Sequence, residues 1–156
     1  MSEPFRLGVS PDFYTEAREA TEAVVAARLA GVPDLIVEPM PPEMGTEATP
    51  EVLERYDAIF AMATKVDGPS LARANRLLCV ARWGVGYDRI DTDALTQAGV
   101  VLTITPNAVK RPVAEAIFTF IFALSKNLLL QDRTARAGKW RGALPRLGVN
   151  VVGTTL

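Results

Sequence analysis

The most informative stretch of the sequence is Leu77-Leu78-Cys79-Val80-Ala81 followed by Arg82-Trp83-Gly84-Val85-Gly86-Tyr87-Asp88-Arg89-Ile90-Asp91. Its first five residues are apolar and typical of a buried strand. The two glycines that follow allow positive φ angles and a close approach of the backbone to a ligand. Arg82 adds a permanent positive charge and a planar set of donors that matches a carboxylate. The stretch predicts either a small anion site or a tight turn with a solvated arginine.

Further short apolar runs predict four more strands, at residues 5–9, 35–37, 58–62 and 100–104. Helices are expected between the strands: one from Pro11, with Ser10 as its cap, to residue 30, short ones after Thr49 and at 68–75, and one that ends at Gly99. The loop at 38–46 contains three prolines, which exclude regular structure there.

Strands that alternate with helices and lack interior polar residues predict a parallel sheet covered on both faces. We expect a flavodoxin-like, five-stranded α/β domain over residues 1–105, with strand order 2-1-3-4-5. In such a sheet the ligand crevice lies at the carboxyl ends of the strands, beside the switch in strand order. Loops that begin at Ser10, Ala63 and Arg82 should meet there, which favours the anion-site interpretation.

The composition is that of a globular protein without an obvious polyanionic partner. The chain has 156 residues, 49% hydrophobic and 22% charged, and a net charge of −1, so binding to nucleic acid or to an acidic membrane is not expected. The N-terminus lacks a secretory pattern, and the mostly apolar stretch at 116–124 is too short to span a bilayer. The single Cys79 can form no internal disulfide, and we therefore expect a cytoplasmic protein.

The residues needed for several kinds of catalysis are missing from this sequence. It contains no histidine, so no imidazole of this chain can transfer a proton or bind a metal. Walker A, G-x-S-x-G and G-x-G-x-x-G motifs are also missing, and no acidic or cysteine residues have metal-ligand spacing. We predict no catalytic residue and no metal site in this chain.

A long helix is expected from residue 111 or 112 to residue 137. Its part at 113–124 is apolar on nearly every side, so it must be covered on more than one side. It lies either in the core of this domain or against something outside the chain, and we favour the second because the sheet already has helices for both faces. The basic residues Arg133, Arg136, Lys139, Arg141 and Arg146 are interpreted as a solvated helix end and arm rather than as a phosphate or nucleic-acid site.

From residue 5 onward, nearly the whole sequence resembles the N-terminal part of the D-isomer-specific 2-hydroxyacid dehydrogenases, near their glyoxylate reductase and phosphoglycerate dehydrogenase branches. The resemblance rests on segments at 63–66, 82–91, 98–100, 105–109, 113–115, 138–140 and 151–156. Residues 82–115 are its most specific part.

This resemblance implies a two-domain enzyme that transfers a hydride between NAD or NADP and C2 of a 2-hydroxy or 2-oxo acid. The substrate carboxylate would be bound by Arg82 and by backbone N–H groups of the turn Gly84-Val85-Gly86. Trp83 either narrows the mouth of the site or only packs. The resemblance also places Met62 beside the substrate, and Val85 and Val113 near the cofactor.

The resemblance further implies that residues 106–156 are an interdomain helix and arm that lead to a cofactor domain. In the family, a sequence like that of 151–156 enters the first strand of that domain, which precedes the catalytic arginine, glutamate and histidine. We therefore expect this chain to be the substrate-binding portion of such an enzyme without its cofactor domain. It should be inactive alone and should bind no cofactor tightly.

The expected substrate is a small, unphosphorylated 2-oxo acid such as glyoxylate or hydroxypyruvate. Phosphoglycerate-specific members carry a basic residue where this chain has Ala61-Met62, and a buried phosphate needs paired charge. The intact enzyme is expected to be a homodimer, and the sequence does not choose between NAD and NADP. One alternative is a corepressor-like binding module on the same scaffold. Another is a structural fragment that dimerises through its long helix.

Overall fold

The chain divides into two compact units, Met1–Pro106 and Asn107–Leu156. We describe them from a computed structural model, which covers residues 3–155 apart from the side chain of Arg141. The first unit is an α/β domain and the second is helical.

The first unit contains a five-stranded parallel sheet with the order β2-β1-β3-β4-β5, as predicted. Its strands are β1 (Phe5–Val9), β2 (Leu35–Pro39), β3 (Ala58–Ala61), β4 (Cys79–Arg82) and β5 (Val101–Thr103). The flavodoxin-like class is thereby confirmed. Strand β2 continues to Pro39, inside the loop that was expected to be irregular. A proline is tolerated there because β2 is an edge strand and has no neighbour on one side.

Four helices belong to the first unit: α1 (Pro11–Glu16), α2 (Arg18–Leu29), α3 (Pro50–Leu53) and α4 (Thr92–Ala98). The single helix predicted from Pro11 to residue 30 is wrong, because Ala17 leaves the helical conformation, with φ −148° and ψ 42°. The segment predicted as a helix at 68–75 forms only a 3₁₀ turn at Pro69–Leu71.

The ends of α4 are those that the sequence predicts. The Asp91 carboxylate accepts a hydrogen bond of 2.9 Å from the backbone N–H of Ala94 and caps the first turn. Gly99 ends the helix in the left-handed conformation, with φ 70°. Strand β5 therefore begins at Val101, one residue after its predicted start at residue 100.

The core of the first unit surrounds the central strand β3. Ala58, Ile59 and Ala61 of this strand are all buried, as expected for a strand covered on both faces. Leu53 and Tyr56, which precede the strand, are completely buried beside it. The unit therefore has a closed hydrophobic core of its own.

A network of charged groups around Asp57 joins the starts of three strands. The Asp57 carboxylate accepts hydrogen bonds from the backbone N–H of Arg6, at 2.7 Å, and from Nε and Nη2 of Arg76, at 3.0 and 2.8 Å. Burial raises the pKa of Asp57, but the hydrogen bonds from Arg76 and Arg6 outweigh it, and the pKa lies below its ordinary value. The network therefore stabilises the ionised carboxylate.

The second unit is formed mainly by α5 (Pro106–Ser125) and α6 (Leu128–Arg136). The prediction of one helix from residue 111 or 112 to residue 137 is wrong at its start and in its middle. Helix α5 begins at Pro106, which occupies the first turn where a missing N–H costs nothing, and Pro112 lies inside the helix. The break follows from Asn127, which has a φ of 53° in the left-handed region.

The arm after α6 folds back onto this break. The backbone N–H of Val149 donates to the carbonyl of Ser125 at 2.7 Å, and Nζ of Lys126 donates to the carbonyl of Val149 at 2.8 Å. The carbonyl of Ser125, which the end of α5 leaves without an intrahelical partner, and the ammonium group of Lys126 are thus bonded within the second unit.

No residue of α5 or α6 that the structure describes is buried. Within residues 3–155 neither helix alone is long and apolar enough to cross a membrane, although the two together, bent by 58°, reach the required length and composition.

Candidate functional site

The loops after β1 and β3 meet at the carboxyl edge of the sheet, as the predicted topology requires. The backbone N–H of Met62 donates to Oγ of Ser10 at 3.2 Å, and that of Ala63 donates to Oδ2 of Asp12 at 2.7 Å. The hydroxyl of Ser10 donates in turn to the Asp12 carboxylate. Asp12 is therefore occupied in holding the two loops together.

The loops after β3 and β4 are joined by a second set of backbone hydrogen bonds. The N–H of Val66 donates to the carbonyl of Arg89 at 3.0 Å, and the N–H of Asp91 donates to the carbonyl of Val66 at 2.8 Å. These bonds bring the two loops side by side and leave a cavity of about 230 Å³ between them. The cavity is lined by Met62, Ala63, Thr64, Arg82, Gly86, Tyr87, Asp88, Arg89 and Ile90.

The glycine turn at the mouth of this cavity depends on Gly84 in particular. Gly84 has a φ of 133°, which an L side chain rarely adopts, and a Cβ there would lie 2.9 Å from Cζ of Arg82. The second glycine, Gly86, does not take a positive φ, contrary to our expectation for both. A Cβ at Gly86 would lie 3.3 Å from Oδ2 of Asp88, which is a tight contact with a flexible side chain.

Thr105 fixes the turn from the other side. Its Oγ1 accepts a hydrogen bond of 2.7 Å from the N–H of Gly84, and its own N–H donates to the carbonyl of Gly84 at 2.9 Å. The N–H of Gly84 is thereby used within the protein. By contrast, the N–H groups of Val85 and Gly86 have no acceptor among the described residues.

Arg82 differs from the other half-buried arginines of the first unit. Arg6 pairs with Glu38 at 2.6 Å and Arg76 pairs with Asp57 at 2.8 Å. Arg82 is half-buried as well, yet within residues 3–155 its guanidinium has neither a carboxylate nor a hydrogen-bond partner. A partly desolvated cation without a partner favours an anionic ligand.

The structure brings together three of the residues predicted for substrate binding, because Met62, Arg82 and Gly86 line the same cavity. Val85 is exposed at the turn beside them. Trp83 lies elsewhere: its ring packs against Phe13, with centroids 5.4 Å apart, and lines a separate apolar groove with Phe60. Successive residues of an extended strand point to opposite faces, which separates Trp83 from Arg82.

Val85 and Val113, predicted near the cofactor, belong to different units of the chain. Val85 is in the first unit and Val113 is on α5 in the second, and both are exposed. Their assignment to a cofactor remains a prediction.

Several residues of the cavity were not among the predicted site residues: Thr64, Tyr87, Asp88 and Arg89. Thr64 is buried, and its hydroxyl has no partner within residues 3–155. Their place in the cavity follows from the backbone pairing of Val66 with Ile90, which brings the end of the glycine motif beside the loop after β3. Sequence periodicity does not report such an isolated bridge, so no sequence signal could have found them.

The residues present do not fit a dinucleotide or a metal. Arg89 stands where a G-x-G-x-x-G motif that starts at Gly84 would need its third glycine, and the turn leads to a bridge rather than to a helix. Among residues 3–155 there is no group of three histidine, cysteine or acidic side chains that could hold a metal ion. The arrangement can bind a small anion and orient it.

Comparison with known proteins identifies the family. A family model described as D-isomer specific 2-hydroxyacid dehydrogenase, catalytic domain, matches residues 13–139. The chain belongs to the D-isomer-specific 2-hydroxyacid dehydrogenase family. Its catalytic-domain match covers the whole of the glycine turn and all of α5 and α6, which confirms the family that the sequence resembles.

Curated relatives of this dehydrogenase chain include archaeal glyoxylate reductases. That of Thermococcus gammatolerans is 31% identical over 73% of this chain and 36% of its own length. That of Korarchaeum cryptofilum is 33% identical over 67% of this chain and 34% of its own length. The chain therefore spans about a third of the length of these relatives.

Solved structures of dehydrogenases share the fold. A glyoxylate reductase from Paecilomyes thermophila superposes with a TM-score of 0.66 at 22% identity, over 93% of this chain and 45% of the other. The D-mandelate dehydrogenase of Rhodotorula graminis gives a TM-score of 0.61 at 16% identity, over 87% of this chain and 41% of the other.

Proposed function

We propose that this chain is the substrate-binding part of an NAD- or NADP-dependent oxidoreductase that acts on small 2-oxo and 2-hydroxy acids. The observation that carries the proposal is Arg82, a half-buried cation without a partner in residues 3–155, beside the free N–H groups of Val85 and Gly86. Arg82 and Gly86 line one cavity, Val85 lies between Gly84 and Gly86 in the turn, and donors of these kinds match the carboxylate of such an acid. Membership of the dehydrogenase family supports the same reaction class.

In this proposal the residues of the chain bind and orient the acid. The Arg82 guanidinium pairs with the substrate carboxylate, and the N–H groups of Val85 and Gly86 fix its plane, so that C2 is held at the mouth of the cavity. Gly84 supplies the backbone conformation that this arrangement needs, and Thr105 holds it in place. The chain has no histidine, and in this proposal a group outside these 156 residues transfers the proton to or from the C2 oxygen.

The nicotinamide cofactor would supply the hydride. Because the chain has no glycine fingerprint, the cofactor would be held by a separate domain of the intact enzyme, and residues 106–156 would connect to it. We propose glyoxylate and hydroxypyruvate as the first substrates to test, since the relatives named above are glyoxylate reductases and no cation stands at Ala61 or Met62. We further propose that the intact enzyme is a cytoplasmic homodimer. No observation favours the corepressor alternative.

The test is the oxidation of NADH and NADPH, with a panel of 2-oxo acids, by a longer form of the protein that includes a cofactor domain. We expect turnover by the longer form and none by the 156-residue chain. Arg82→Met should lower kcat/KM by about 10- to 100-fold, because it removes a charge-assisted hydrogen bond to the substrate.

Arg28→Met is the matched control. Arg28 is an exposed arginine on α2 with no ion pair within residues 3–155, and its replacement should change kcat/KM by less than about twofold. Absence of turnover with every acid of the panel, or equal losses in the two variants, would contradict the proposal.

A further inference from the structure

Both backbone groups of Gly84 are bonded to one residue of another segment, Thr105. The N–H of Gly84 donates to Oγ1 of Thr105 at 2.7 Å, and the N–H of Thr105 donates to the carbonyl of Gly84 at 2.9 Å. Thr105 lies just after β5, 21 residues further along the chain. Both residues are half-buried, so water competes only in part for these two hydrogen bonds.

The two hydrogen bonds fix two successive peptide planes. The N–H of Gly84 belongs to the peptide group before this residue, whereas its carbonyl belongs to the peptide group that it shares with Val85. The carbonyl and the N–H of a trans peptide point in opposite directions, and the described residues contain no cis peptide. The N–H of Val85 therefore points away from the N–H of Thr105. Since φ and ψ of Gly84 relate the two planes, bonds to both planes hold Gly84 at its φ of 133°.

Local sequence makes Thr105 a rigid anchor for this flexible turn. Thr105 precedes Pro106, and a residue before proline is restricted to extended conformations. Its side chain is β-branched, which restricts rotation about χ1. Glycine, in contrast, has the largest backbone freedom of any residue. The conformation of Gly84 therefore depends on its partner more than on its own residue type.

We propose that Thr105 is a positioning residue for carboxylate binding: its hydroxyl holds Gly84 in place and so keeps the N–H of Val85 oriented before a ligand is bound. Without this hydroxyl the turn would be ordered only on binding, and the entropy lost in ordering it would weaken the affinity. This inference rests on the proposed function, since it assumes that the N–H groups of Val85 and Gly86 bind the substrate carboxylate.

The first measurement is made on the wild-type chain without a ligand. Amide hydrogen exchange in the ¹⁵N-labelled 156-residue chain compares Gly84 with Val85 and Gly86, after correction for the intrinsic rate of each amide. Gly84 should exchange at least about tenfold more slowly than the other two, because its N–H, unlike theirs, has an acceptor within residues 3–155. Equal rates for the three amides would contradict the inference.

The second measurement is a titration of D-glycerate into the labelled chain, followed by the amide shifts of Val85 and Gly86. Thr105→Val keeps the shape of the side chain but removes the acceptor, and it should weaken D-glycerate binding by about tenfold. Thr105→Ser keeps the acceptor, and its dissociation constant should lie within about threefold of the wild-type value. Gly84 should lose its protection from exchange in Thr105→Val and retain it in Thr105→Ser.

Thr96→Val is the matched control. Oγ1 of Thr96 donates to the carbonyl of Thr92 at 2.7 Å, so this variant also loses one hydroxyl hydrogen bond, on α4 and outside the cavity. It should change the dissociation constant of D-glycerate by less than about twofold.

The outcomes separate this inference from the proposed function. If D-glycerate does not shift the amides of Val85 and Gly86 in the wild type, carboxylate binding at the turn is wrong, and the positioning role with it. If the wild type binds D-glycerate but Thr105→Val binds it equally well, the turn binds carboxylates and Thr105 does not position it. Binding by Thr105→Ser as weak as that by Thr105→Val, or equal losses in Thr105→Val and Thr96→Val, would lead to the same conclusion.

Discussion

Both units of the chain are rich in apolar residues. Within the described residues, only the first unit buries such side chains. Every buried hydrophobic residue in the described part of the chain lies between Val9 and Val100. Ile59 at the centre of the sheet is completely buried, whereas Leu124 on α5 is 74% exposed. Apolar area stabilises a fold only when it is removed from water, so the stability of this chain should reside in the first unit. Despite its apolar sequence, no residue of α5 is buried in the described part of the chain.

The largest expected effect comes from truncating a side chain in each unit. Ile59→Ala should lower the free energy of unfolding by about 2–5 kcal/mol, because it leaves a cavity beside the central strand. Leu124→Ala removes a similar side chain from an exposed position and should cost less than about 0.5 kcal/mol. Urea unfolding of both variants measures the difference. Similar losses of unfolding free energy in the two variants would mean that Leu124 of α5 is buried in solution.

A smaller effect is expected from breaking one ion pair in each unit. Asp57→Asn should cost about 1.5–3 kcal/mol, because it weakens charge-assisted hydrogen bonds to Arg76 and leaves that half-buried cation with only the more distant carboxylate of Glu3, at 3.5 Å. Asp132→Asn breaks an exposed pair with Arg136 on α6, at 2.9 Å, and should not change the unfolding midpoint measurably.

The pH dependence of unfolding gives a second measurement of the Asp57 network. The pKa of Asp57 is held below its ordinary value of 3.8 in the folded chain. Its contribution to stability is therefore complete above about pH 4–5 and is lost as the pH falls through the folded pKa. When the pH is lowered from about 5 to below the folded pKa of Asp57, the free energy of unfolding should fall further in the wild type than in Asp57→Asn. Parallel curves for the two proteins would show that the network does not contribute.

A charged residue placed on the exposed helix α5 should have the smallest effect on the free energy of unfolding. It should have a clear effect on self-association. Phe120 of α5 is 66% exposed, and several large apolar side chains of the same helix are exposed with it. We expect the wild-type chain to self-associate at high concentration, and Phe120→Lys to weaken this association by about tenfold or more. Val24→Lys, at an exposed position on α2 of the first unit, is the control. Sedimentation velocity that shows only monomeric wild-type chain would contradict this prediction.

The sequence predicted the sheet well because its signals there are local. Short apolar runs without interior polar residues locate the strands, and the handedness of parallel connections limits their order. Capping by Asp91 and the left-handed Gly99 also follow from local chemistry. The predicted start of α5 was wrong because a proline in the first turn is a common helix start, and both Pro106 and Pro112 fit that rule. In the structure the helix begins at Pro106.

The candidate site could be predicted only in part. Arg82 and Gly84 were identified because a fixed cation and a glycine with positive φ have recognisable chemistry. Asp88 and Arg89 were missed as lining residues, because their position depends on the pairing of Val66 with Ile90, between segments more than twenty residues apart. For Trp83 the sequence left two alternatives, narrowing the mouth of the site or packing only, and in the structure its ring packs against Phe13.

By itself, the sequence determined the parallel α/β domain, its strand order, the glycine turn after the fourth strand, and the lack of any histidine for proton transfer. These are properties of residue type and spacing, which a chain carries before it folds. Only the tertiary structure decided which charges remain unpaired: Arg6, Arg76 and Arg89 meet carboxylates brought from distant segments, and Arg82 meets none within residues 3–155. Whether a cation is available to a ligand depends on three-dimensional neighbours, because its charge is compensated by whatever group lies within a few ångströms.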